Sequence, residues 1–398
     1  EKLAQAIGGH HGRIPAVPPE SELHGFDRQL QPLRAQLIGQ LEEIFGALPR
    51  EKLADSQLFL LAGLTSVADW IGSNEDYFPL TGMGNPADIT QARTNAERAL
   101  DELRFFPPTP RADATFESVF GFEKRPLQDA ALKAMTAPGL YVIEAPMGEG
   151  KTEAALGCAF ELIRTGQANG LYFALPTQVT SNRIFERLTP YLSRFEQSET
   201  TLRLAHSASW LEERSLLELR RPASSLDDDG HWVRGMSWFR ASKRALLARY
   251  GVGTIDQALL GTIAAKHFFV RLFALAGKVV ILDEVHSYDV FTGSLLERLI
   301  GLLLPLNCTV IVLSATLTEA QRHRLLANAP GKKPLPLVSM NEPVRITGVP
   351  AQAEPIAVGC EADPNLHRKV SVELAEHSFE AQLERAVEVA KNGGCVLW

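Results

Sequence analysis

The sequence predicts a multidomain protein in which an all-α domain is followed by an α/β domain with a parallel sheet. Two observations predict this fold class. Up to about residue 105, apolar residues recur at spacings of three and four, which is typical of helices. From about residue 116, short β-rich apolar runs alternate with helical segments, which is typical of parallel strands joined by crossover helices.

The N-terminal segment shows helical periodicity in two places. One is a stripe of leucine and isoleucine over residues 30–44, and the other is the strongly apolar stretch over residues 58–71. Pro107, Pro108 and Pro110 then end the pattern, because proline restricts both its own backbone and the residue before it. We therefore expect an all-α domain over residues 1–106 and a linker over 107–115.

The α/β domain is expected over residues 116–340. Its predicted strands cover residues 140–144, 170–175, 279–282 and 309–313. The apolar run over residues 299–317 is long enough to suggest a membrane span, but Pro305 and Asn307 interrupt it, which favours a helix end followed by a buried strand. We expect no membrane association.

Six prolines between residues 330 and 355 indicate a change of organisation. We expect a linker over residues 341–370. A predicted amphipathic helix at 378–391 and a strand that stops at the last residue then suggest that residues 371–398 are the beginning of a further domain.

Composition limits the classes of function. The 398 residues are 45% hydrophobic and 22% charged, as in globular proteins, and the net charge of −7 excludes a globally basic nucleic-acid binder. The four cysteines lack Cys-x-x-Cys spacing, which argues against a disulfide framework or a zinc site. No secretion signal is visible, so we expect a cytoplasmic protein.

Residues 145–152, Ala-Pro-Met-Gly-Glu-Gly-Lys-Thr, fit the phosphate-loop pattern between a predicted strand and a helix. Glycines let backbone N–H groups surround phosphate oxygens. Lys151 is expected to contact the β and γ phosphates of ATP, and Thr152 to bind Mg²⁺. The alternative is a glycine-rich turn with a Lys-Thr pair by chance. The nucleotide-binding residues predicted from this loop are Gly148, Glu149, Gly150, Lys151 and Thr152.

Two further motifs follow the phosphate loop. Asp283 and Glu284 end an apolar strand, where Asp283 is expected to hold Mg²⁺ through its water shell and Glu284 to polarise the attacking water. Ser314 and Thr316 end the next strand, as residues that sense the γ phosphate and signal its loss to a neighbouring domain. Alone, each motif also fits an ordinary strand end. Together with the phosphate loop, they resemble superfamily 2 helicases of the DExH type, which implies that Gln128 contacts adenine.

Polar and basic residues elsewhere suggest a track for single-stranded nucleic acid. Hydroxyls and amides after two strands suit contacts to phosphates, and basic residues interleaved with aromatics suit phosphates and stacked bases. Helix caps and an ordinary amphipathic helix are the alternatives. The predicted DNA-binding residues are Thr177, Gln178, Arg183, Trp238, Arg240, Lys243, Arg244, Thr254, Asp256 and Gln257.

Three residues near the N-terminus have the chemistry of a second, metal-dependent site. His10 and His11 follow two glycines, and Asp69 lies in an apolar predicted helix, where a buried carboxylate needs a partner or a metal. Imidazoles with a carboxylate suit a divalent transition metal that activates water. Paired histidines on the protein surface are the alternative.

The motifs together resemble the CRISPR-associated helicase-nucleases of type I systems. This resemblance rests on Gly-His-His-Gly at 9–12, Ala-Asp-Trp-Ile at 68–71, the phosphate loop and Asp-Glu-Val-His at 283–286. It implies an HD-type nuclease domain that precedes RecA-like motor domains, with His10, His11 and Asp69 binding Mn, Fe, Ni or Co. It further implies a monomer that moves on single-stranded DNA after recruitment by the RNA-guided surveillance complex Cascade.

Two other functions remain open from the residues. One is a DExH helicase whose N-terminal helices are only a scaffold, and the other is an ATP-dependent nucleic-acid clamp or switch. Metal-dependent nuclease activity distinguishes the first, and ATP hydrolysis stimulated by nucleic acid argues against the second. The sequence leaves undetermined the nuclease metal, the CRISPR subtype, the cleavage pattern and the recruiting surface.

Overall fold

The computed structural model describes ten stretches of the chain. They are residues 7–9, 12, 25–46, 54–79, 88–197, 202–205, 245–263, 265–329, 343–363 and 378–396. Residues 1–362 form one compact unit and residues 363–398 a second. In the described part of the chain, no helix is long and apolar enough to cross a membrane.

The described residues before position 107 include the helices α1 (Gly25–Phe45), α2 (Asp55–Gly72) and α3 (Ile89–Glu102). The predicted helical character of this region is confirmed. The leucine stripe of α1 is nevertheless exposed, with Leu33 at 61% and Leu37 at 56%. Periodicity thus identified the helix correctly, whereas burial of a stripe depends on a neighbour that periodicity does not reveal.

An eight-stranded sheet forms the centre of the larger unit. Its strands are β1 (Gly139–Glu144), β2 (Leu171–Leu175), β3 (Leu202–Ala205), β4 (Tyr250–Thr254), β5 (Val279–Leu282), β6 (Thr309–Ser314), β7 (Val344–Pro350) and β8 (Ile356–Cys360). The order is β3-β4-β2-β5-β6-β1-β7-β8. The first six strands in this order pair in parallel, which confirms the parallel sheet predicted from β1, β2, β5 and β6, whereas β3 and β4 were not predicted. Strands β7 and β8 are antiparallel.

Helices surround the sheet because β1, β2, β5 and β6 are buried along their whole length and need cover on both faces. These helices are α4 (Phe116–Phe120), α5 (Pro126–Ala134), α6 (Lys151–Arg164), α7 (Gln178–Phe195), α8 (Ile255–Leu259), α9 (Phe268–Leu275), α10 (Val290–Leu303) and α11 (Glu319–Leu326). The apolar run at 299–317 comprises the end of α10, a 3₁₀ turn and β6, as predicted.

The predicted linker over residues 341–370 is wrong for Val344–Pro350 and Ile356–Cys360, which are β7 and β8. Strand β7 extends the sheet by pairing with β1, from Gly139 opposite Pro350 to Glu144 opposite Arg345. Pro343 and Pro355 lie just outside these strands and Pro350 ends β7, so prolines here do not exclude strands, because a missing N–H costs little at such positions.

The N-terminal helices and the sheet domain pack together through α2 and α9. A Cβ atom on Gly63 would lie 2.3 Å from Cβ of Phe273, so the two helices approach at a glycine. Phe59 and Phe268 are in edge contact, with ring centroids 5.5 Å apart. Trp70 similarly contacts His267 at 5.3 Å. Aromatic pairs of this geometry stabilise an interface beyond the area they bury.

The segment between these two parts is attached to the sheet by a buried carboxylate. Glu196, 2% exposed, accepts hydrogen bonds from the backbone N–H of Thr109 at 2.8 Å and from the hydroxyl of Tyr250. The N–H of Arg111 donates to the carbonyl of Phe195 at 2.7 Å. Residues 109–111 of the predicted linker are therefore held against α7 and β4.

In the second unit, the structure describes α12 (Phe379–Lys391) and the turn after it. Ser378 caps this helix by accepting a hydrogen bond from the N–H of Ala381 at 3.4 Å. The predicted helix at 378–391 is thus confirmed. The assignment of residues 371–398 to a further domain stays a prediction, as do the domain boundaries at 106 and 116.

Candidate nucleotide site at the carboxyl edge of the sheet

The phosphate loop connects the end of β1 to the start of α6. Gly148 and Gly150 have φ values of +92° and +82°, in the left-handed region that favours glycine. A Cβ atom on Gly150 would also lie 2.2 Å from Nε2 of Gln128. Glycine at position 150 is therefore required both by the backbone conformation and by this close approach.

Lys151 begins α6 and is 9% exposed. Its ammonium group donates hydrogen bonds to the carbonyls of Ala145 at 2.6 Å and Pro146 at 3.2 Å. Burial lowers the pKa of Lys151, while the negative charges of Glu284 and Asp283 oppose that shift. The amine thus lies inside the curve of the loop and faces the two carboxylates.

Asp283 and Glu284 follow β5, the strand two places from β1 in the sheet. Glu284 has a φ of +54°, and its backbone N–H donates to Oδ1 of Asp283 at 2.9 Å. Burial, followed by the charge of Glu284, raises the pKa of Asp283 to about 6. A carboxylate that is costly to ionise in this position suits a bound cation, which would restore the charged form.

His286 connects the second motif to the third. Its Nε2 lies 3.0 Å from Oε2 of Glu284, and its Nδ1 lies 3.2 Å from the hydroxyl of Ser314. The Ser314 hydroxyl also donates to the carbonyl of Thr316 at 3.1 Å. The side chain of Thr316 is exposed. Ser314 is therefore linked through one imidazole to a carboxylate of the Asp283 and Glu284 pair.

A cavity of about 340 Å³ lies between the phosphate loop and the Asp283 and Glu284 pair, while His286, Ser314 and Thr316 do not line it. Its lining includes predicted residues from three parts of the chain: Gln128, Gly148, Gly150, Lys151, Thr152, Asp283 and Glu284. Glu149 is buried and does not line it. Gln128 accepts from the N–H of Arg125 at 2.8 Å and donates to the carbonyl of Gly150 at 3.3 Å. The glutamine therefore ties α5 to the phosphate loop.

Sequence reasoning missed five other residues that line this cavity, one of which is Met147 of the phosphate loop. Phe122 and Arg125 precede α5, and the guanidinium of Arg125 donates to the carbonyl of Gly148 at 2.9 Å. Glu153 and Arg187 form an ion pair between α6 and α7. Arg125 could have been identified from the sequence, since it lies three residues before Gln128, which the helicase resemblance had already assigned to the site. Arg187 had none, because only tertiary packing brings it to Glu153.

The predicted DNA-binding residues divide into two groups. Trp238, Arg240, Lys243 and Arg244 lie outside the described residues. In the described group, Thr177 caps α7, Gln178 begins it, and both are exposed along with Arg183. On β4 and α8, Thr254 is buried, Asp256 is exposed and Gln257 is half-buried. The carbonyl of Thr254 accepts a hydrogen bond from Tyr172 at 2.9 Å.

The predicted nuclease site is described only at Asp69, since His10 and His11 lie outside the described residues. Asp69 is in α2, and its side chain is exposed. The expectation that this carboxylate is buried is therefore wrong. In the stretches that the structure describes, no group of three or more His, Cys, Asp or Glu side chains could hold a metal ion.

Comparison with known proteins supports the resemblance to the CRISPR-associated helicase-nucleases of type I systems. Residues 1–78 match the family model described as "Cas3, HD domain". The chain is 35% identical over 98% of its length to the CRISPR-associated endonuclease/helicase Cas3 of Thermus thermophilus, covering 45% of that protein. It is 33% identical over 81% of its length to the protein of that name from Escherichia coli, covering 38% of it.

Solved structures agree. The chain matches the crystal structure of T. fusca Cas3-ADP with a TM-score of 0.77 and 30% identity, over 98% of this chain and 47% of that one. A chain in the structure titled "CRISPR RNA-guided surveillance complex, pre-nicking" matches with a TM-score of 0.60 and 28% identity, over 89% of this chain and 39% of that one. The resemblance to CRISPR-associated helicase-nucleases is thus confirmed, as is the fold class. The chain spans between 38% and 47% of the length of these relatives.

Proposed function

We propose that the protein hydrolyses ATP to move along single-stranded DNA and cuts that DNA at a metal site in its N-terminal domain. One observation supports the ATPase most directly. The phosphate loop and the Asp283 and Glu284 pair meet at one edge of the sheet, where Lys151, Asp283 and Glu284 line a single cavity. His286 connects Glu284 to Ser314 of the third motif. The names of the relatives, endonuclease/helicase Cas3, support the pairing of the two activities.

The cavity fits a nucleotide with its magnesium ion. Gly148 and Gly150 carry no side chain, so the loop backbone is open at these two positions, and the N-terminus of α6 favours a phosphate. Bound Mg²⁺-ATP supplies the γ phosphate that water attacks. Lys151 would exchange its bonds to loop carbonyls for phosphate oxygens, and Asp283 and Thr152 would hold the ion. Glu284 would orient and polarise the water. Gln128 is assigned to the adenine end.

We assign the DNA contacts to the exposed first turn of α7 and to the region around Thr254–Asp256. Hydroxyls and amides near a helix N-terminus bind phosphates without regard to base sequence. Trp238, Arg240, Lys243 and Arg244 complete this assignment with charge and stacking faces. Ser314 and Thr316 would convey the loss of the γ phosphate to a neighbouring domain.

For the nuclease, we assign His10, His11 and Asp69 as ligands of Mn, Fe, Ni or Co. Exposure of Asp69 is compatible with a ligand that must be reachable by a metal and by DNA. Such a metal supplies a water nucleophile at neutral pH. We further propose a cytoplasmic monomer recruited by an RNA-guided surveillance complex. The structural match titled for such a complex supports this partner.

The test uses the full natural protein with ATP, single-stranded DNA and each of the four metals. We expect single-stranded DNA to stimulate ATP hydrolysis and the metals to permit DNA cleavage. Stimulated hydrolysis with no cleavage under any metal would favour a helicase whose N-terminal helices are only a scaffold. Nucleotide binding with no stimulation would favour the clamp.

A further inference from the structure

Two oppositely charged side chains are buried where β1 meets the phosphate loop. Glu144 is 3% exposed and Arg322 is 9% exposed. Nε of Arg322 lies 2.5 Å from Oε2 of Glu144, and a terminal guanidinium nitrogen lies 3.0 Å from Oε1. Neither residue lines the nucleotide cavity. This ion pair can therefore affect the nucleotide site only through the residues that it positions.

The carboxylate of Glu144 binds two residues of the segment that follows β6. Besides Arg322 on α11, it accepts a hydrogen bond from the backbone N–H of Leu317 at 3.3 Å. Leu317 directly follows Thr316, and Ser314 lies opposite Glu144 in the register of β1 and β6. The turn Ser314–Thr316 is therefore held by His286 at its beginning and by Glu144 immediately after its end.

The same carboxylate is covalently adjacent to the phosphate loop. Ala145, the first loop residue, donates its backbone N–H to the carbonyl of Ser314 at 3.3 Å and accepts from Lys151. Glu144 therefore connects the loop on one side to the turn on the other. A paired carboxylate and guanidinium fix the relative position of two elements through directed bonds, which apolar contacts do not.

Stability alone is a poor explanation for this pair. Removing two charges from water offsets most of their attraction, and well-packed apolar residues often replace a buried pair without loss. We propose that Glu144 and Arg322 are positioning residues that make the Ser314–Thr316 turn follow the phosphate loop, so that ATP hydrolysis responds to single-stranded DNA. This inference rests on the proposed function.

The experiment compares Arg322→Met and Glu144→Gln with a matched control in the full natural protein. Arg324→Met is the control, because Arg324 lies on the same helix in an exposed ion pair with Glu297 at 3.5 Å. ATP hydrolysis is measured with and without single-stranded DNA. We expect the two test variants to lose about tenfold in DNA-stimulated kcat, with basal hydrolysis and KM for ATP within about twofold of the unaltered protein. The control should be unchanged.

A double variant separates positioning from folding. Glu144→Leu with Arg322→Leu removes both charges together, so neither charge is left buried without its partner, and only the N–H of Leu317 loses its acceptor. The double variant should therefore still fold and unfold cooperatively, as the unaltered protein does. Its DNA stimulation should still be lost, and Arg322→Lys should restore part of it. A folded double variant with normal stimulation would overturn the inference. Absence of stimulation in the unaltered protein would instead refute the proposed function, and this inference with it.

Discussion

Asp283 and Asp69 are carboxylates in apolar sequence surroundings, yet their environments differ. Asp283 follows a strand whose residues are all buried, and desolvation raises its pKa to about 6. Asp69 lies in a helix of high mean hydropathy, but its side chain is exposed, as is Leu64 one turn and a half earlier. Apolar neighbours in the sequence therefore accompany a desolvated carboxylate at Asp283 and an exposed one at Asp69, where burial was expected.

The difference comes from how strands and helices contact their neighbours. A central strand of a parallel sheet has neighbours at both edges and helices over both faces, so an apolar run implies burial on every side. A helix at the surface buries one stripe, and here α2 places Ala62, Val67 and Ile71 inward. Composition alone does not give the direction of that stripe.

The largest effect that we expect tests the candidate nucleotide site, which contains Asp283. Lys151→Ala should lower ATP hydrolysis by about 1000-fold, because it removes the charge that faces the phosphates. Metal-dependent nicking of DNA that is already single-stranded should survive, since the two reactions use separate sites. An ATPase assay and a nicking assay on the same preparation measure both. Near-normal ATP turnover would remove the phosphate-loop assignment.

The second expectation tests the exposed carboxylate. Asp69→Ala should lower metal-dependent DNA cleavage by roughly 100-fold while DNA-stimulated ATP hydrolysis is kept. Because Asp69 is exposed, the unfolding free energy should change by less than about 0.5 kcal/mol. Glu75→Ala, an exposed carboxylate just after the same helix, is the control. Wild-type cleavage by well-folded Asp69→Ala would end the nuclease assignment.

The third expectation tests the two carboxylates that follow β5. Asp283→Asn and Glu284→Gln should each lower ATP turnover by about 30-fold or more, through lost magnesium anchoring and lost water activation respectively. Nucleotide binding should remain largely in place, because the phosphate loop is unaltered. Equilibrium binding of ATP, measured beside turnover, distinguishes a loss of catalysis from a loss of nucleotide binding. If both variants hydrolysed ATP normally, the motor assignment would have to be withdrawn.

The last expectation changes neither activity and concerns stability at the opposite end of the same strand, where Lys278 is buried and donates to the carbonyls of Leu246 at 2.8 Å and Ala248 at 2.5 Å. Burial lowers the pKa of Lys278 to about 7. Between that value and its ordinary pKa near 10.5, the unfolded chain binds more protons, so the unfolding free energy should rise with pH in this window and level off below it.

Lys278→Met should lack this pH dependence. From pH 7 to pH 10, the unaltered protein should gain up to about 4 kcal/mol of unfolding free energy relative to the variant. Denaturant unfolding at several pH values measures the gain. Lys133→Met, at an exposed lysine, should follow the unaltered protein throughout. Parallel curves for Lys278→Met and the unaltered protein would mean that the lysine is charged in its buried position.

The residues that meet at the candidate nucleotide site were largely predictable because they follow elements with strong local signals. Strands β1, β2, β5 and β6 are continuous apolar runs, and polar residues after parallel strands meet at one sheet edge. Strand β4 gave no such signal, since two of its five residues are glycines. Strands β7 and β8 were hidden by the prolines around them.

The sequence by itself determined the order of the motifs, the parallel sheet and the residues at its carboxyl edge, because all of these follow from periodicity and short-range spacing. Only the tertiary structure decided the pairing of Glu153 with Arg187, of Glu144 with Arg322, and the exposure of Asp69. These features join residues that lie 34 and 178 positions apart, or depend on which face of a helix meets a neighbour. Local sequence patterns do not predict such contacts, because only the packing of elements that are distant in the sequence creates them.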